Sequence, residues 1–137
     1  KPFLGICMGL QVLMQHSEEN DGTDLLGLMP GSVVRFDGSA MAENGLPLKI
    51  PHMGWSRVDQ VVDHALWQGI ESGNRFYFVH SYYVRPEDKG VIAATTDYGV
   101  EFTSAIARGN LFAVQFHPEK SADAGLRLLE NFVNWEI

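Results

Sequence analysis

Residues 5–11, GICMGLQ, place a cysteine between two glycines at the junction of two predicted elements. The apolar run over residues 3–7 predicts a short buried strand. The apolar residues that follow recur at helical spacing, namely Leu10, Leu13 and Met14. We therefore expect a helix over residues 8–16. A nucleophile between a strand and a helix, with glycine two residues before and after it, is typical of the G-x-nucleophile-x-G turn.

This turn predicts a reactive role for Cys7. Glycine is expected at positions 5 and 9 because side chains there would collide with the flanking strand and helix. The helix N-terminus beneath the sulfur is expected to favour the thiolate, and the Met8 amide is expected to donate to an oxyanion. The alternative is that Cys7 is a small buried hydrophobic residue and the glycines are packing spacers.

A thiol nucleophile needs a partner that handles protons, and His117-Pro118-Glu119 offers one. Pro118 disfavours helical geometry for His117, so we expect an extended segment in which His117 and Glu119 share a face. The carboxylate can then orient the imidazole as the third member of a triad. The alternative is a loop histidine beside a surface glutamate.

Composition limits the remaining classes. The chain has 137 residues, enough for one domain, and its 10 Lys and Arg against 17 Asp and Glu give a net charge of −7. This acidic balance argues against binding nucleic acid or an anionic membrane surface. No apolar run approaches the ~20 residues of a membrane helix. We therefore expect a soluble cytoplasmic protein.

The single cysteine, Cys7, excludes an internal disulfide and a multi-cysteine zinc site. His-x-Glu also occurs in zinc deaminases, but those need a Cys-x-x-Cys partner. A site built from His52, His80, His117 and Glu119 lacks any i, i+4 helical pair to support it. We expect no metal and no cofactor.

The chain opens KPFLGIC, inside a strand-like run and without an initiator methionine. It also lacks the basic and apolar regions of a signal peptide. We expect a fragment whose N-terminal part is absent, the alternative being a processed or naturally short chain.

Strands are expected where apolar, aromatic or β-branched residues cluster. They cover residues 32–36, 48–50, 57–62, 75–84, 91–96, 102–107 and 111–116. Residues 17–24 are expected to form a loop, residues 63–69 a short helix, and Gly109-Asn110 a hairpin turn. Ser121 is expected to cap a final helix whose apolar face comprises Leu126, Leu129, Phe132 and Val133. Helices at both ends with strands between them predict an α/β fold with a mixed sheet.

Residues 5–11 together with residues 117–119 resemble the class I (triad) glutamine amidotransferase family. In that family the cysteine attacks the side-chain amide of glutamine. Residues 51–55, PHMGW, and 78–82, FVHSY, resemble the branch that serves imidazole glycerol phosphate synthase in histidine biosynthesis. Residues 27–31, 34–36 and 116–121 fit the same branch, so the resemblance spans nearly the whole chain.

The resemblance implies a flavodoxin-like mixed sheet flanked by helices, incomplete at its N-terminal side. Residues 1–137 would then be the C-terminal portion of a single glutamine amidotransferase domain. Family members carry roughly a further half-domain before the cysteine, including a glycine-rich loop that supplies a second oxyanion donor. Nothing in this sequence matches that part, so the function implied belongs to the intact protein.

The resemblance also implies a set of functional residues. Cys7, His117 and Glu119 would form the catalytic triad. Met8 would supply the oxyanion donor. Gln11 and the Ser81-Tyr82 backbone would help to hold glutamine. Gln11 lies one helical turn after Cys7, and its alternative is an ordinary surface glutamine.

A partner follows from the same resemblance. It is a (β/α)₈ cyclase subunit, bound as a heterodimer, that uses the ammonia to make imidazole glycerol phosphate and aminoimidazole carboxamide ribonucleotide. Trp55, Tyr77 and Lys120 match positions near that interface. Their alternatives are core packing for the two aromatic residues and a solvated lysine. His52 and His80 are expected to be structural or interface residues.

Two other functions stay open. One is a glutaminase of another biosynthetic synthase or a γ-glutamyl hydrolase, against which the PHMGW block argues. The other is a non-catalytic fragment that binds the barrel subunit without hydrolysing glutamine. Such a fragment would keep the interface residues but would show no thiol reactivity at Cys7.

Overall fold

The computed structural model describes residues 1–38 and 45–136. The strands in these ranges are β1 (Phe3–Ile6), β2 (His16–Ser17), β3 (Thr23–Asp24), β4 (Gly31–Arg35), β5 (His52–Arg57), β6 (Asp59–Gln60), β7 (Arg75–His80), β8 (Tyr82–Pro86), β9 (Ile92–Asp97), β10 (Glu101–Arg108) and β11 (Leu111–Val114). The helices are α1 (Met8–Gln11) and α2 (Ala122–Val133). Short 3₁₀ turns span Glu19–Asp21, Ala65–Trp67, Lys89–Val91 and Pro118–Lys120.

Nine of the strands in the described ranges form one mixed sheet. Its order is β1-β11-β10-β8-β4-β2-β3, and β9 pairs with β10 while β6 pairs with β9. β1 runs parallel to β11, and β2 runs parallel to β4. The remaining pairings in this sheet are antiparallel. The predicted α/β fold with a mixed sheet is therefore confirmed.

Two apolar cores lie on the two faces of this sheet, because successive residues of a strand point to opposite sides. In β11, Phe112 and Val114 belong to one core, and Ala113 belongs to the other. Leu128 of α2 packs in the first core, whereas Leu10 of α1 packs in the second. The sheet is therefore flanked by a helix on each face.

β5 and β7 form a separate two-stranded antiparallel ribbon. Its register pairs His52 with His80, and both imidazoles are buried. The outward side chains include Met53 and Trp55, which are 61% and 48% exposed. The ribbon therefore has a buried face lined by histidine and an exposed face with an aromatic residue.

The helix predicted over residues 8–16 is wrong in its length, because α1 ends at Gln11. The backbone carbonyls of residues 12–15 accept hydrogen bonds from N–H groups of residues 25–29. These long-range bonds replace the next helical turn. The three apolar residues whose spacing predicted the helix are nevertheless buried, namely Leu10, Leu13 and Met14.

The single strand predicted over residues 75–84 is also wrong, because β7 and β8 belong to different sheets. The chain changes partner at Ser81, whose carbonyl accepts a hydrogen bond from the Phe36 amide at 3.1 Å. His80 Nδ1 lies 2.8 Å from the Tyr82 carbonyl oxygen. This local side-chain bond ends the strand inside an apolar run that contains no glycine or proline.

Four predicted strands agree with β4, β9, β10 and β11, and the Gly109-Asn110 turn joins the last two as predicted. Other expectations fail in part. Residues 48–50 form no strand, residues 57–62 contain only the end of β5 and the two-residue β6, and residues 17–24 contain short strands and a 3₁₀ turn. A 3₁₀ turn, Ala65–Trp67, replaces the short helix predicted over residues 63–69.

β1 is not the fully buried strand that the apolar run predicts. Phe3 is 48% exposed, and Gly5 is the buried residue of the strand. Within the described part of the chain, β1 pairs along one edge only. An apolar run therefore predicted the strand itself correctly, but not how many neighbours cover it.

The predicted apolar face of α2 is correct only in part, since Leu129 and Phe132 are half-buried and Phe132 packs against the first core. Its buried residues are Gly125 and Leu128, whereas Leu126 and Val133 are 62% and 80% exposed. Gly125 lies against the 3₁₀ turn, because a Cβ atom added there would stand 1.9 Å from the Pro118 carbonyl oxygen. This close backbone approach sets the rotation of the helix, and an apolar pattern does not detect it.

We expect Gly125→Ala to lower the free energy of unfolding by about 1–3 kcal/mol or more, since the methyl group has no room. Urea unfolding followed by circular dichroism measures this change. The matched control is Gly38→Ala, because no described heavy atom lies within 4 Å of a Cβ added there. Equal losses in the two variants would contradict the close approach at Gly125.

Candidate active site

Cys7 occupies a strained turn between β1 and α1. Its backbone has φ 54° and ψ −108°, a left-handed conformation that side-chain-bearing residues rarely adopt. Its amide donates to the Val114 carbonyl at 2.8 Å, and its own carbonyl accepts from the Leu10 amide at 3.0 Å. One hydrogen bond to strand β11 and one from helix α1 therefore hold the turn. This is the strand–turn–helix geometry that the G-x-nucleophile-x-G pattern predicts.

The two flanking glycines are not equivalent. A Cβ atom at Gly5 would lie 2.7 Å from the Gly9 carbonyl oxygen and 3.1 Å from the Ala113 side chain. A Cβ atom at Gly9 would meet no described heavy atom within 4 Å. The predicted steric reason therefore holds for Gly5, whereas it is wrong for Gly9 within the described residues.

His117 leaves the sheet at the same edge as Cys7, because the strands before them, β1 and β11, are adjacent and parallel. His117 Nδ1 lies 3.2 Å from Glu119 Oε2. His117 itself is extended, but residues Pro118–Lys120 form a 3₁₀ turn. The two side chains meet across that turn, so the expected extended i, i+2 alternation is wrong as the reason for the contact.

The thiol environment differs from the prediction. Burial raises the pKa of Cys7, and the negative charge of Glu119 raises it further. The Met8 amide and the Gln115 side chain donate toward the sulfur and lower that pKa, but desolvation is the larger effect. The expected stabilisation of the thiolate at the helix start is present in the Met8 amide, but burial outweighs it, so the net shift of the pKa favours the neutral thiol.

Gln115 is a site residue that sequence reasoning missed. It is fully buried, and its Nε2 lies 3.6 Å from Cys7 Sγ. The signal in the sequence was a carboxamide inside the apolar run of residues 111–116, two positions before His117. A buried polar side chain in such a run requires specific hydrogen-bond partners.

Gln11 is buried rather than a surface residue, at 5% exposure. Its Nε2 donates to the Tyr82 carbonyl and to Gln115 Oε1, both at 3.1 Å. The Tyr82 carbonyl also lies 2.8 Å from His80 Nδ1, so two protein donors occupy it. Ser81 is half-buried beside Tyr82 at the junction of the two sheets. Hydrogen bonds thus connect the Tyr82 carbonyl to Gln11, Gln11 to Gln115, and Gln115 to the thiol of Cys7.

The buried histidines of the ribbon form a directed pair. His52 Nδ1 lies 3.0 Å from His80 Nε2, and His52 Nε2 lies 2.8 Å from Ser56 Oγ. Burial lowers the pKa of His52 to about 3 and that of His80 to about 4. Both rings are therefore neutral at physiological pH.

The residues expected at a partner interface lie near each other. Trp55 and Tyr77 are cross-strand neighbours on the outer face of the ribbon, with ring centroids 5.9 Å apart. Trp55 is 48% exposed, so it is not a core residue within the described chain. Lys120 is exposed and ends the 3₁₀ turn that carries Glu119.

Ser121 attaches the His117 segment to the ribbon. Its buried hydroxyl accepts from the Tyr77 amide at 2.9 Å and donates to the His117 carbonyl at 2.6 Å. The His117 amide in turn donates to the Tyr77 carbonyl at 2.9 Å. Ser121 stands at the N-terminus of α2 as predicted, but its side chain does not cap the helix.

Two further findings concern residues 1–38 and 45–136. No helix there is long and apolar enough to cross a membrane. No group of three or more His, Cys, Asp or Glu side chains there is arranged to hold a metal ion.

Comparison with known families agrees with this geometry. The family model described as glutamine amidotransferase class-I matches residues 1–135. The chain therefore belongs to the class-I glutamine amidotransferase family.

Within that family, the chain is similar to imidazole glycerol phosphate synthase subunit HisH from several bacteria. It is 62% identical over 135 residues to the subunit of Hydrogenovibrio crunogenus, which covers 98% of this chain and 62% of that protein. It is 60% identical over 136 residues to the subunit of Thiobacillus denitrificans, covering 98% of this chain and 59% of that protein. The chain thus spans about three fifths of the length of these curated relatives.

Solved structures share the fold. The glutaminase domain of CTPS from Trypanosoma brucei, solved with bound acivicin, aligns with a TM-score of 0.61 at 19% identity, covering 99% of this chain and 61% of that one. A glutamine amidotransferase from Thermotoga maritima aligns with a TM-score of 0.59 at 21% identity, covering 97% of this chain and 47% of that one. At these identities the likeness concerns the fold alone.

The neutral histidine pair predicts acid sensitivity. Between pH 6.5 and about 4, the unfolded chain binds protons on His52 and His80 that the folded protein does not bind. The free energy of unfolding should therefore fall as the pH is lowered, by up to about 1.4 kcal/mol per pH unit for each histidine. Urea unfolding at pH 7, 6 and 5 measures this slope.

The matched variant for that slope is His52→Phe, which keeps the stacking of the ring on Phe78 and Tyr98 but cannot titrate. The slope between pH 6.5 and 5 should be smaller in this variant by up to about one histidine's contribution. Identical slopes in the two proteins would mean that His52 does not remain neutral in the folded state.

We expect Ser121→Ala to lower the free energy of unfolding by about 1–3 kcal/mol, because the Tyr77 amide and the His117 carbonyl lose their common partner. Ser72→Ala is the control, since its hydroxyl accepts one exposed bond from the Gln60 amide. Chemical denaturation compares the two. If the Ser121 variant is no less stable than the Ser72 variant, the two hydrogen bonds of the Ser121 hydroxyl do not stabilise the fold as expected.

Proposed function

We propose that this chain carries the catalytic centre of a glutaminase, with Cys7, His117 and Glu119 as its triad. The observation that carries the proposal is the placement of Cys7 on a strained turn at the same sheet edge as the His117–Glu119 pair. Membership of the class-I glutamine amidotransferase family supports it. The family description names glutamine, which supports glutamine as the amide donor, and the similarity to HisH subunits supports imidazole glycerol phosphate synthase as the assembly.

The first half-reaction begins from a neutral thiol. Because a carboxylate only accepts, His117 Nδ1–H donates to Glu119, which leaves the Nε2 lone pair free to act as a base. Cys7 Sγ attacks the γ-carboxamide carbon of glutamine as His117 takes the thiol proton. The imidazolium then protonates the leaving nitrogen, the C–N bond of the tetrahedral intermediate breaks, and ammonia departs to leave a γ-glutamyl thioester.

Water completes the cycle. His117 removes a proton from water as the water oxygen attacks the thioester carbonyl, and the proton returns to the sulfur when glutamate leaves. Glu119 stabilises the imidazolium in both halves. The Met8 amide, which already donates toward Cys7 Sγ, holds the oxyanion. A second donor would come from a preceding segment of the complete domain, of which residues 1–137 are the C-terminal portion.

Glutamine would be held beside the thiol. Both amide hydrogens of Gln11 are engaged by the Tyr82 carbonyl and by Gln115. The Oε1 atom is therefore the group of Gln11 that is left to meet a ligand, and it suits an N–H donor of glutamine. Because the Tyr82 carbonyl already accepts two hydrogen bonds, the Ser81-Tyr82 backbone would contact glutamine through its other amide and carbonyl groups.

The outer face of the ribbon is the proposed docking surface for a (β/α)₈ cyclase subunit. Met53 and Trp55 are exposed there, and Tyr77 packs against Trp55. Lys120 lies on the turn that follows His117. Exposed aromatic residues are typical interface anchors. Ammonia passed directly to that subunit would escape protonation by water.

In this proposal the heterodimer makes imidazole glycerol phosphate and aminoimidazole carboxamide ribonucleotide in the cytoplasm, where a free thiol stays reduced. A second candidate is a protein that docks the barrel without hydrolysing glutamine. The exposed ribbon face favours docking under both functions, so thiol chemistry distinguishes them.

We expect Cys7→Ala in the complete subunit, assayed with its cyclase partner, to reduce ammonia release from glutamine by at least about 10³-fold. Its affinity for the partner should be unchanged, because Cys7 does not lie on the ribbon face. Coupled ammonia detection and titration calorimetry measure the two quantities. Retained hydrolysis in this variant would refute the catalytic assignment.

The matched variant is Trp55→Ala, which should weaken partner binding about tenfold or more. Cys7 should still be alkylated by a glutamine-mimicking diazoketone, and free glutamine should protect it. If the wild-type complete subunit binds the barrel but Cys7 is never labelled, the docking-only function is supported instead.

A further inference from the structure

Gln115 is buried in the core beside the nucleophile, and its carboxamide links two parts of the site. Its Nε2 faces Cys7 Sγ at 3.6 Å, and its Oε1 accepts from Gln11 Nε2 at 3.1 Å. Both glutamines are at most 5% exposed. Two buried carboxamides in contact must be oriented correctly, since a reversed amide would leave buried groups unsatisfied.

A single backbone carbonyl fixes these orientations. The Tyr82 oxygen can only accept, so the Gln11 atom at 3.1 Å from it must be the NH₂ group. The second hydrogen of that group meets Gln115, whose facing atom must then be its oxygen. The NH₂ group of Gln115 is consequently left to face the sulfur of Cys7.

The same carbonyl also fixes the histidine pair. His80 must donate to it from Nδ1, so His80 Nε2 is an acceptor and receives the Nδ1–H of His52. His52 Nε2 then accepts from the Ser56 hydroxyl. Every hydrogen bond in this network has one allowed direction as long as both rings are neutral. The lowered pKa values of the two histidines agree with that state.

We infer that Gln115 is a positioning residue for the Cys7 thiol, and that Gln11 acts on the thiol through Gln115. The bond from Gln115 holds the sulfur at one place above the strained turn. It also stabilises the thiolate relative to the thiol, because an N–H donor interacts more strongly with an anion. The inference deepens the proposed function, but its measurement needs no glutamine.

The experiment measures the alkylation of Cys7 by iodoacetamide as a function of pH, in the complete subunit. Gln115→Met keeps the side-chain volume but removes the donor. We expect the alkylation rate at pH 7 to fall about three- to tenfold, and the midpoint of the pH profile to rise by about 0.5 to 1 unit. Glu119, whose charge acts on the same sulfur, is unchanged in this variant.

Gln11→Met tests the second half of the inference. It should shift the pH profile in the same direction by an equal or smaller amount. Gln115 then loses the hydrogen bond from Gln11 that orients its carboxamide, but it keeps the NH₂ group that faces the sulfur. In the double variant, the shift should equal that of Gln115→Met alone. Additive shifts would mean that Gln11 acts on the sulfur independently, which would overturn this part.

The matched control is Gln60→Met. The Gln60 side chain donates to the Ile70 carbonyl and not to Cys7. This substitution makes the same chemical change and should leave the alkylation profile unchanged. An unchanged profile in Gln115→Met would overturn the inference, as would an equal shift in the Gln60 control. If Gln115→Met does not fold, judged by circular dichroism, Gln11→Met must show the upward shift alone or the inference fails.

These outcomes are separate from those of the proposed function. Loss of glutamine hydrolysis on Cys7→Ala does not depend on Gln115. Conversely, the alkylation shift depends on the donor beside the sulfur and would still be measured if Cys7→Ala left glutamine hydrolysis unchanged.

Discussion

The parallel pairing of β1 with β11 is the constraint on which the site depends. It aligns Ile6 with Val114, and the Cys7 amide continues the ladder by donating to the Val114 carbonyl at 2.8 Å. Parallel strands bring their carboxyl ends to the same edge of a sheet. Two residues separated by 110 positions in sequence, Cys7 and His117, therefore leave the sheet on the same side. An antiparallel arrangement would have placed them at opposite edges.

This arrangement partly buries the proposed nucleophile as well as positioning it. The turn at Cys7 is held in a left-handed conformation, and Gly5 allows the helix backbone to pass close behind the strand. The cost is desolvation, which raises the pKa of the thiol despite the Met8 and Gln115 donors. In the proposed mechanism a neutral resting thiol makes a base necessary, because the proton must leave the sulfur as the carbon–sulfur bond forms. The His117–Glu119 pair has the polarity for that task.

Local patterns in the sequence were sufficient for the turn at Cys7, the hairpin at Gly109-Asn110 and the mixed sheet. Each of these depends on residue types within a few positions or on the alternation of helices and strands. The errors arise where distant backbone decides the outcome. The end of α1 is set by bonds from residues 25–29, and the face of α2 by the approach of Gly125 to the Pro118 carbonyl. Gln115 carried a signal, a polar residue in an apolar run, but its partners Cys7 and Gln11 lie 108 and 104 positions away in the sequence.

The ribbon of β5 and β7 is attached to the site at two points of one strand. The backbone of Tyr77 holds the His117 segment, and the His80 side chain holds the Tyr82 carbonyl to which Gln11 is bound. A rigid shift of β7 would move both attachments together and preserve their spacing. A twist of the ribbon would move them by different amounts, because Tyr77 is attached through its backbone and His80 through a side chain that extends from the buried face. Since Trp55 packs on Tyr77 from the exposed side, a partner bound there would act on the strand that holds both attachments.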